Sequence, residues 1–181
     1  MSRWLIATMT SVLFIALTAE EKGLLGSAWY AAHPLIPLEQ TVFNLNTDGA
    51  GYNDTTVVTA IGLERTSAEA TIKAASEVSG LEAIVDPVPE QNLYVRSDNV
   101  SFAQQGIPAV NFAPGTTAFD AEIMKHYHQV SDEAETLNFS YVEKYCEAYT
   151  RAAEQIANLP ATPFWTKDDK YEAVGRELYG R

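Results

Sequence analysis

The chain has 181 residues, about the length of one domain. Apolar residues make up 46% and charged residues 20%, which provides a core and excludes intrinsic disorder. Acids outnumber bases 24 to 12, for a formal net charge of −12; that excess is repelled by nucleic acid and by anionic membrane surfaces, so neither is an expected partner.

The first nineteen residues allow two readings. Arg3 followed by an apolar stretch over 4–19 imitates a secretory signal peptide. The stretch is too short and too rich in Thr and Ser for a membrane span, which needs about 20 apolar residues. Alternatively, Val12-Leu13-Phe14-Ile15-Ala16-Leu17 is a continuous apolar run of strand formers, as in a central strand covered on both faces. A cut after Ala19 would leave Glu20-Glu21 as a raw terminus, yet that pair belongs to the strongest motif in the chain. The expectation is therefore a central strand over 11–18.

A short helix follows through Trp29 and Ala32, stopped by Pro34. Residues 42–46 read as a strand running into the turn Thr47-Asp48-Gly49, and 55–61 as a β-branched strand. Thr66-x-x-Glu69 has the form of a capping box, opening a helix to about Ser79 that Gly80 ends. A helix near 98–105 precedes a short strand over 109–112. The last long helix runs from about 140 to 158, with Val142, Tyr145, Cys146, Tyr149, Ala153 and Ile156 as its apolar face, which packs Cys146 in the core. Pro160 and Pro163 end it. Residues 1–160 make the domain and 161–181 a tail that packs on it or extends from it. Strands alternating with helices imply an α/β layered fold.

In such folds functional groups gather at the carboxyl ends of strands. Glu20 and Glu21 follow the first strand and Asp48 ends the second. Two adjacent loop glutamates can point apart, so that one binds a metal while the other takes a proton from a metal-bound water. The plainer alternative is a solvated surface pair; the flanking Gly23 and Gly26 point instead to an unusually tight backbone. Asp48 before Gly49 is also ordinary turn chemistry. Cys146 is the single cysteine, so any metal is left to carboxylates and to His33, His126 and His128. His126-Tyr127-His128 places two histidines on one side of an extended segment, and Asp132 is spaced to orient an imidazole. His33, before Pro34, reads as a surface or capping residue.

Thr18-Ala19-Glu20-Glu21-x-Gly23-Leu24-Leu25-Gly26-Ser27, Asn46-x-Asp48, Arg96-Ser97-Asp98-x-x-x-Phe102-x-x-x-Gly106-Ile107-Pro108-Ala109 and Tyr127-His128-x-x-x-Asp132 together resemble, in order, metallopeptidase family 28. This is a family of co-catalytic di-zinc exopeptidases with many aminopeptidases. The likeness runs from about Ser11 to Trp165, and the glutamate pair with its glycines is its most specific part. It implies a three-layer α/β/α sandwich with a mixed, mostly parallel sheet. It implies Glu20 as general base and acid, Glu21 and His128 as ligands of one zinc, and Asp48 as a ligand of a second. By the same resemblance Tyr127 steadies an oxyanion, and Ser97 and Asp98 build the pocket wall. The substrate would be a peptide with a free N-terminus. Many members have His where Asn99 stands.

The family also carries an earlier His-x-Asp pair, and none precedes Glu20 here. The expectation is the C-terminal part of a catalytic domain, lacking N-terminal strands and two of five ligand positions, inactive on its own, with an open sheet edge that invites association. The compartment stays open, with export of the parent protein as the family habit. Two further readings are a non-catalytic interaction domain of the same fold and an acyltransferase of the glutaminyl-cyclase kind.

Overall fold

Val57–Ile61 is a run of β-branched and small residues, and all five are buried. This strand, β2, sits inside a four-stranded sheet resolved in a computed structural model that describes residues 10–49 and 51–180. With β1 (Asn44–Asn46), β3 (Glu82–Ile84) and β4 (Ala109–Pro114), the order is β1-β4-β2-β3. β1 runs parallel to β4, and β2 parallel to β3; β2 and β4 are antiparallel, with Ala60 opposite Phe112. The sheet is thus mixed and mostly parallel.

The pleat sends alternate side chains to opposite layers. Val58, Ala60, Val110 and Phe112 pack against α2 (Glu69–Val78) and α5 (Phe139–Ala157). Ile61 and Ala109 face the other side, toward Ala103 of α3 (Asn99–Ala103) and toward Trp165. There, α1 (Leu25–Ala32) adds Tyr30 to Phe102 and Ile107. Two short helices complete the chain, α4 (Ala121–His126) and α6 (Glu172–Leu178). Residues 161–180 lie against the body: Trp165 is 3% exposed and its Nε1 donates to the Gly106 carbonyl at 2.9 Å. Gly106 and Gly175 approach so closely that a Cβ on either would press on the other's backbone.

Four local expectations are corrected. Residues 11–18 form neither a strand nor a helix: Val12, Leu13, Phe14 and Ile15 are 38–88% exposed, and no ladder partner flanks them among the described residues. An apolar run becomes a central strand only when neighbours pair with it on both edges. The signal-like beginning, residues 1–9, lies outside the described residues. Cys146 is exposed, because the α5 stripe that faces the core is Tyr141, Tyr145, Ala148, Ala152 and Ile156, one helical position off the expected face. The Thr66/Glu69 capping box does not form. Thr66 is instead buried in a bridge to Trp165, and Glu69 binds Lys73 at 2.6 Å. His126 and His128 do not share one side of an extended segment. α4 ends at His126, and His128 adopts a left-handed φ of 56° that turns it away.

Candidate metal and catalytic site

Glu20–Lys22 is one turn of 3₁₀ helix, at three residues per turn, so the two glutamate side chains leave it about 120° apart. The chain enters through Ala19 (φ 58°) and leaves through Gly23 (φ 99°) and Leu24 (φ 59°), all left-handed. The Glu20 carbonyl accepts from the Gly23 and Leu24 amides at 3.0 and 2.9 Å, and the Thr18 carbonyl from Gly26 at 3.0 Å. A Cβ at Gly26 would collide with the Thr18 backbone, so that position needs glycine for close approach. Ser27, fully buried, donates to the Leu24 carbonyl at 3.1 Å and shares a 2.9 Å bond with Ser101. The glutamate turn is thereby tied to α3.

Asp48, exposed just beyond β1, accepts from Ser97 Oγ at 2.8 Å. Ser97 Oγ accepts in turn from Asn46 Nδ2 at 2.8 Å, and the same amide reaches Asn111 Oδ1 at 3.2 Å. β1, β4 and the segment before α3 are joined by this one polar network. Asn111 carried no functional reading in the sequence; its signal was a lone amide inside the apolar strand 109–112.

Asp120 caps α4 by accepting from the Glu122 and Ile123 amides, and the helix delivers Tyr127 and His128 to the same rim. His128 Nε2 lies 3.1 Å from Glu21 Oε1. The Tyr127 ring stacks on the imidazole at 4.1 Å and 17°. Arg96 Nη2 donates to Tyr127 Oη at 2.9 Å, a contact the sequence did not announce beyond placing Arg96 next to Ser97.

Glu20 joins this group electrostatically. Partial burial raises its pKa, and the negative charges of Asp48, Glu21 and Asp98 raise it further; His128 opposes them. Asp98 is 7% exposed, and among the described residues its Oδ1 has no hydrogen-bond partner. Burial holds its pKa up against the Ser27 hydroxyl, and Asp48 adds to the rise. Asn99 is fully buried and donates to the Tyr94 carbonyl at 3.0 Å. His126 turns to the Ser131 carbonyl at 2.7 Å, and His33 to the Trp29 carbonyl at 3.0 Å. Asp132 is exposed, and among the described residues its carboxylate bonds to neither imidazole.

Glu21 and His128 present a carboxylate and an imidazole to one point, the donor types zinc takes. Their 3.1 Å separation is close to the roughly 3.3 Å between two ligands on one tetrahedral ion with bonds near 2.0–2.1 Å. They fit as two ligands of such an ion. Among the described residues no group of three His, Cys, Asp or Glu side chains converges as a metal cradle. Also among them, no helix is long and apolar enough to cross a membrane.

The fold is similar to solved aminopeptidases. A zinc aminopeptidase from Bacillus subtilis aligns in two structures with TM-scores of 0.62 and 0.61 and 24% identity. Those alignments cover 87% of this chain and 36% and 37% of the enzyme. An aminopeptidase from Aneurinibacillus sp. strain AM-1 aligns with TM-score 0.58 and 24% identity, over 77% of this chain and 32% of that one. The chain therefore spans about a third of the length of these enzymes. No curated protein matches it in sequence. The profile described as Peptidase family M28 matches residues 3–153, and the chain belongs to that family.

Proposed function

We propose that the protein is a zinc-dependent exopeptidase of the aminopeptidase type. Glu20 is its general base and acid, Glu21 and His128 hold one zinc ion, and Asp48 contributes to a second. The observation that carries this reading is the Glu21–His128 contact beside Glu20, made by two segments distant in sequence. The solved relatives are named as aminopeptidases, one of them explicitly a zinc enzyme.

When bound, zinc supplies Lewis-acid polarisation of the scissile carbonyl and lowers the pKa of water toward about 7. Glu20 takes the proton of the attacking water and returns it to the leaving amine. Tyr127 Oη, held by Arg96, is a hydroxyl donor at the rim for the developing oxyanion. Asp98, beside Glu20, adds negative charge at this rim, which favours a substrate with a free ammonium terminus. A non-catalytic domain of the same fold is the second reading; it is favoured by the two-ligand count among the described residues.

The test measures zinc per chain and amino-acid release from an unblocked peptide, on the full-length protein. Glu20→Gln should remove most turnover and keep the zinc. Turnover that survives in that variant would refute the role of Glu20. Zinc bound without any turnover in the unsubstituted protein would favour the non-catalytic reading.

A further inference from the structure

We propose that Arg96 is a positioning residue for the metal-facing imidazole: its guanidinium fixes Tyr127, and the Tyr127 ring fixes His128 in front of Glu21. The consequence for zinc rests on the functional reading above; the geometry does not.

His128 is a non-glycine residue at φ 56°, a conformation that persists only where the surroundings impose it. Its side chain is 54% exposed, so core packing does not impose it. Among the described residues the imidazole meets the Glu21 carboxylate through Nε2 and the Tyr127 ring, nearly parallel at 4.1 Å, on its face. Tyr127 is held at two points. Its ring meets Phe119 edge-on at 5.3 Å and 79°, and its hydroxyl accepts from Arg96 Nη2 at 2.9 Å. Arg96 is itself anchored, since Nη1 donates to the Gln91 carbonyl at 3.3 Å. A charged donor on a phenol oxygen is stronger and more directional than a neutral one. The next residue, Ser97, holds Asp48. Two consecutive residues thus each set the position of one candidate ligand segment.

The experiment is NMR of the metal-free chain, read at the carbon-bound ring protons of His128. Stacking on Tyr127 should shift them upfield of those of His126. Arg96→Leu should move them toward the His126 positions, Arg96→Lys should keep part of the shift, and Tyr127→Leu should abolish it. The thermal midpoint should stay unchanged in the Arg96 variants, because Arg96 is exposed. His128 signals that do not move in Arg96→Leu overturn the proposal. On adding zinc alone, Arg96→Leu should bind it about tenfold more weakly, the low end of the effect of residues that orient metal ligands. Arg96→Lys should fall between Arg96→Leu and the unsubstituted chain, and where Glu21→Gln and His128→Asn do weaken zinc, affinity in Arg96→Leu equal to that of the unsubstituted chain also overturns the proposal. If zinc binding is indifferent to Glu21→Gln and His128→Asn while the ring shift still answers to Arg96, the zinc reading fails and the positioning role stands.

Discussion

Ser97 Oγ stands between Asn46 and Asp48, accepting from one at 2.8 Å and donating to the other at 2.8 Å. Ser97 is 3% exposed, so its hydroxyl has little water to replace either partner. Ser97→Ala should therefore leave the Asn46 amide with its 3.2 Å bond to Asn111 alone among the described residues and free the Asp48 carboxylate to swing. The expected cost is about 1–3 kcal/mol, read as a lower denaturant midpoint with an unchanged slope. A midpoint within error of the unsubstituted protein would show that the network does not hold β1.

Gly26→Ala places a methyl group against the Thr18 backbone, where no side-chain rearrangement can relieve it. The turn that presents Glu20 and Glu21 must shift. Destabilisation of about 1–3 kcal/mol is expected, with reduced zinc binding as its local sign. Thermal unfolding and a zinc titration of the variant check both.

Tyr141 hydrogen-bonds to the Val57 carbonyl at 2.9 Å and to the Gly115 amide at 2.6 Å, and burial pushes its pKa up to about 12. Burial also raises Tyr94, Tyr145 and Tyr149. For an acid whose folded pKa lies above its unfolded value near 10, folding favours the protonated form. The stability is complete below about pH 10 and is lost as the pH climbs toward the folded value. For Tyr141 alone, two units correspond to about 3 kcal/mol. Tyrosinate absorbance should therefore show at least four of the nine tyrosines ionising only as circular dichroism is lost. Ionisation of all nine below pH 11 in a folded protein would contradict the burial argument.

Arg65 ties residues 161–180 to the body. Its Nε and Nη2 grip Asp169 at 2.7 and 3.0 Å, and its guanidinium lies 4.1 Å from the Tyr94 ring centre and 5.2 Å from that of Tyr171. Burial is the largest influence and works against the charge, but the Asp169 bond together with the electrostatics of Asp169, Tyr94 and Tyr171 outweighs it, so the guanidinium pKa is raised. Arg65→Met should cost about 3–5 kcal/mol, because it strands a carboxylate that is 7% exposed. Arg65→Met/Asp169→Leu should recover much of that loss, as the denaturant midpoints would show.

Elements whose signal is local were legible before any coordinates. β2 is β-branched at every position but Ala60, α5 keeps a helical period over nineteen residues, and Gly80 marks the end of α2 with a φ of 73°. The glutamate turn was legible too, because Gly23 and Gly26 advertise a backbone that other residues resist. Features that depend on distant partners were not. β3 is three residues long and opens with exposed Glu82, so it exists only because β2 lies beside it. Residues 11–18 have the composition of a strand without neighbours to pair with among those described. The contacts from Ser97 to Asp48, and from Arg96 to Tyr127, join segments whose spacing carries no period at all.

The central claim is that Glu21 and His128 grip one and the same ion. The direct measurement is zinc affinity by chelator competition for Glu21→Gln, His128→Asn and the double variant. Each single substitution should weaken binding at least tenfold, and the double variant should lose far less than the product of the two losses, as expected for groups acting as a unit. Zinc held as tightly by either single variant as by the unsubstituted protein would contradict the account.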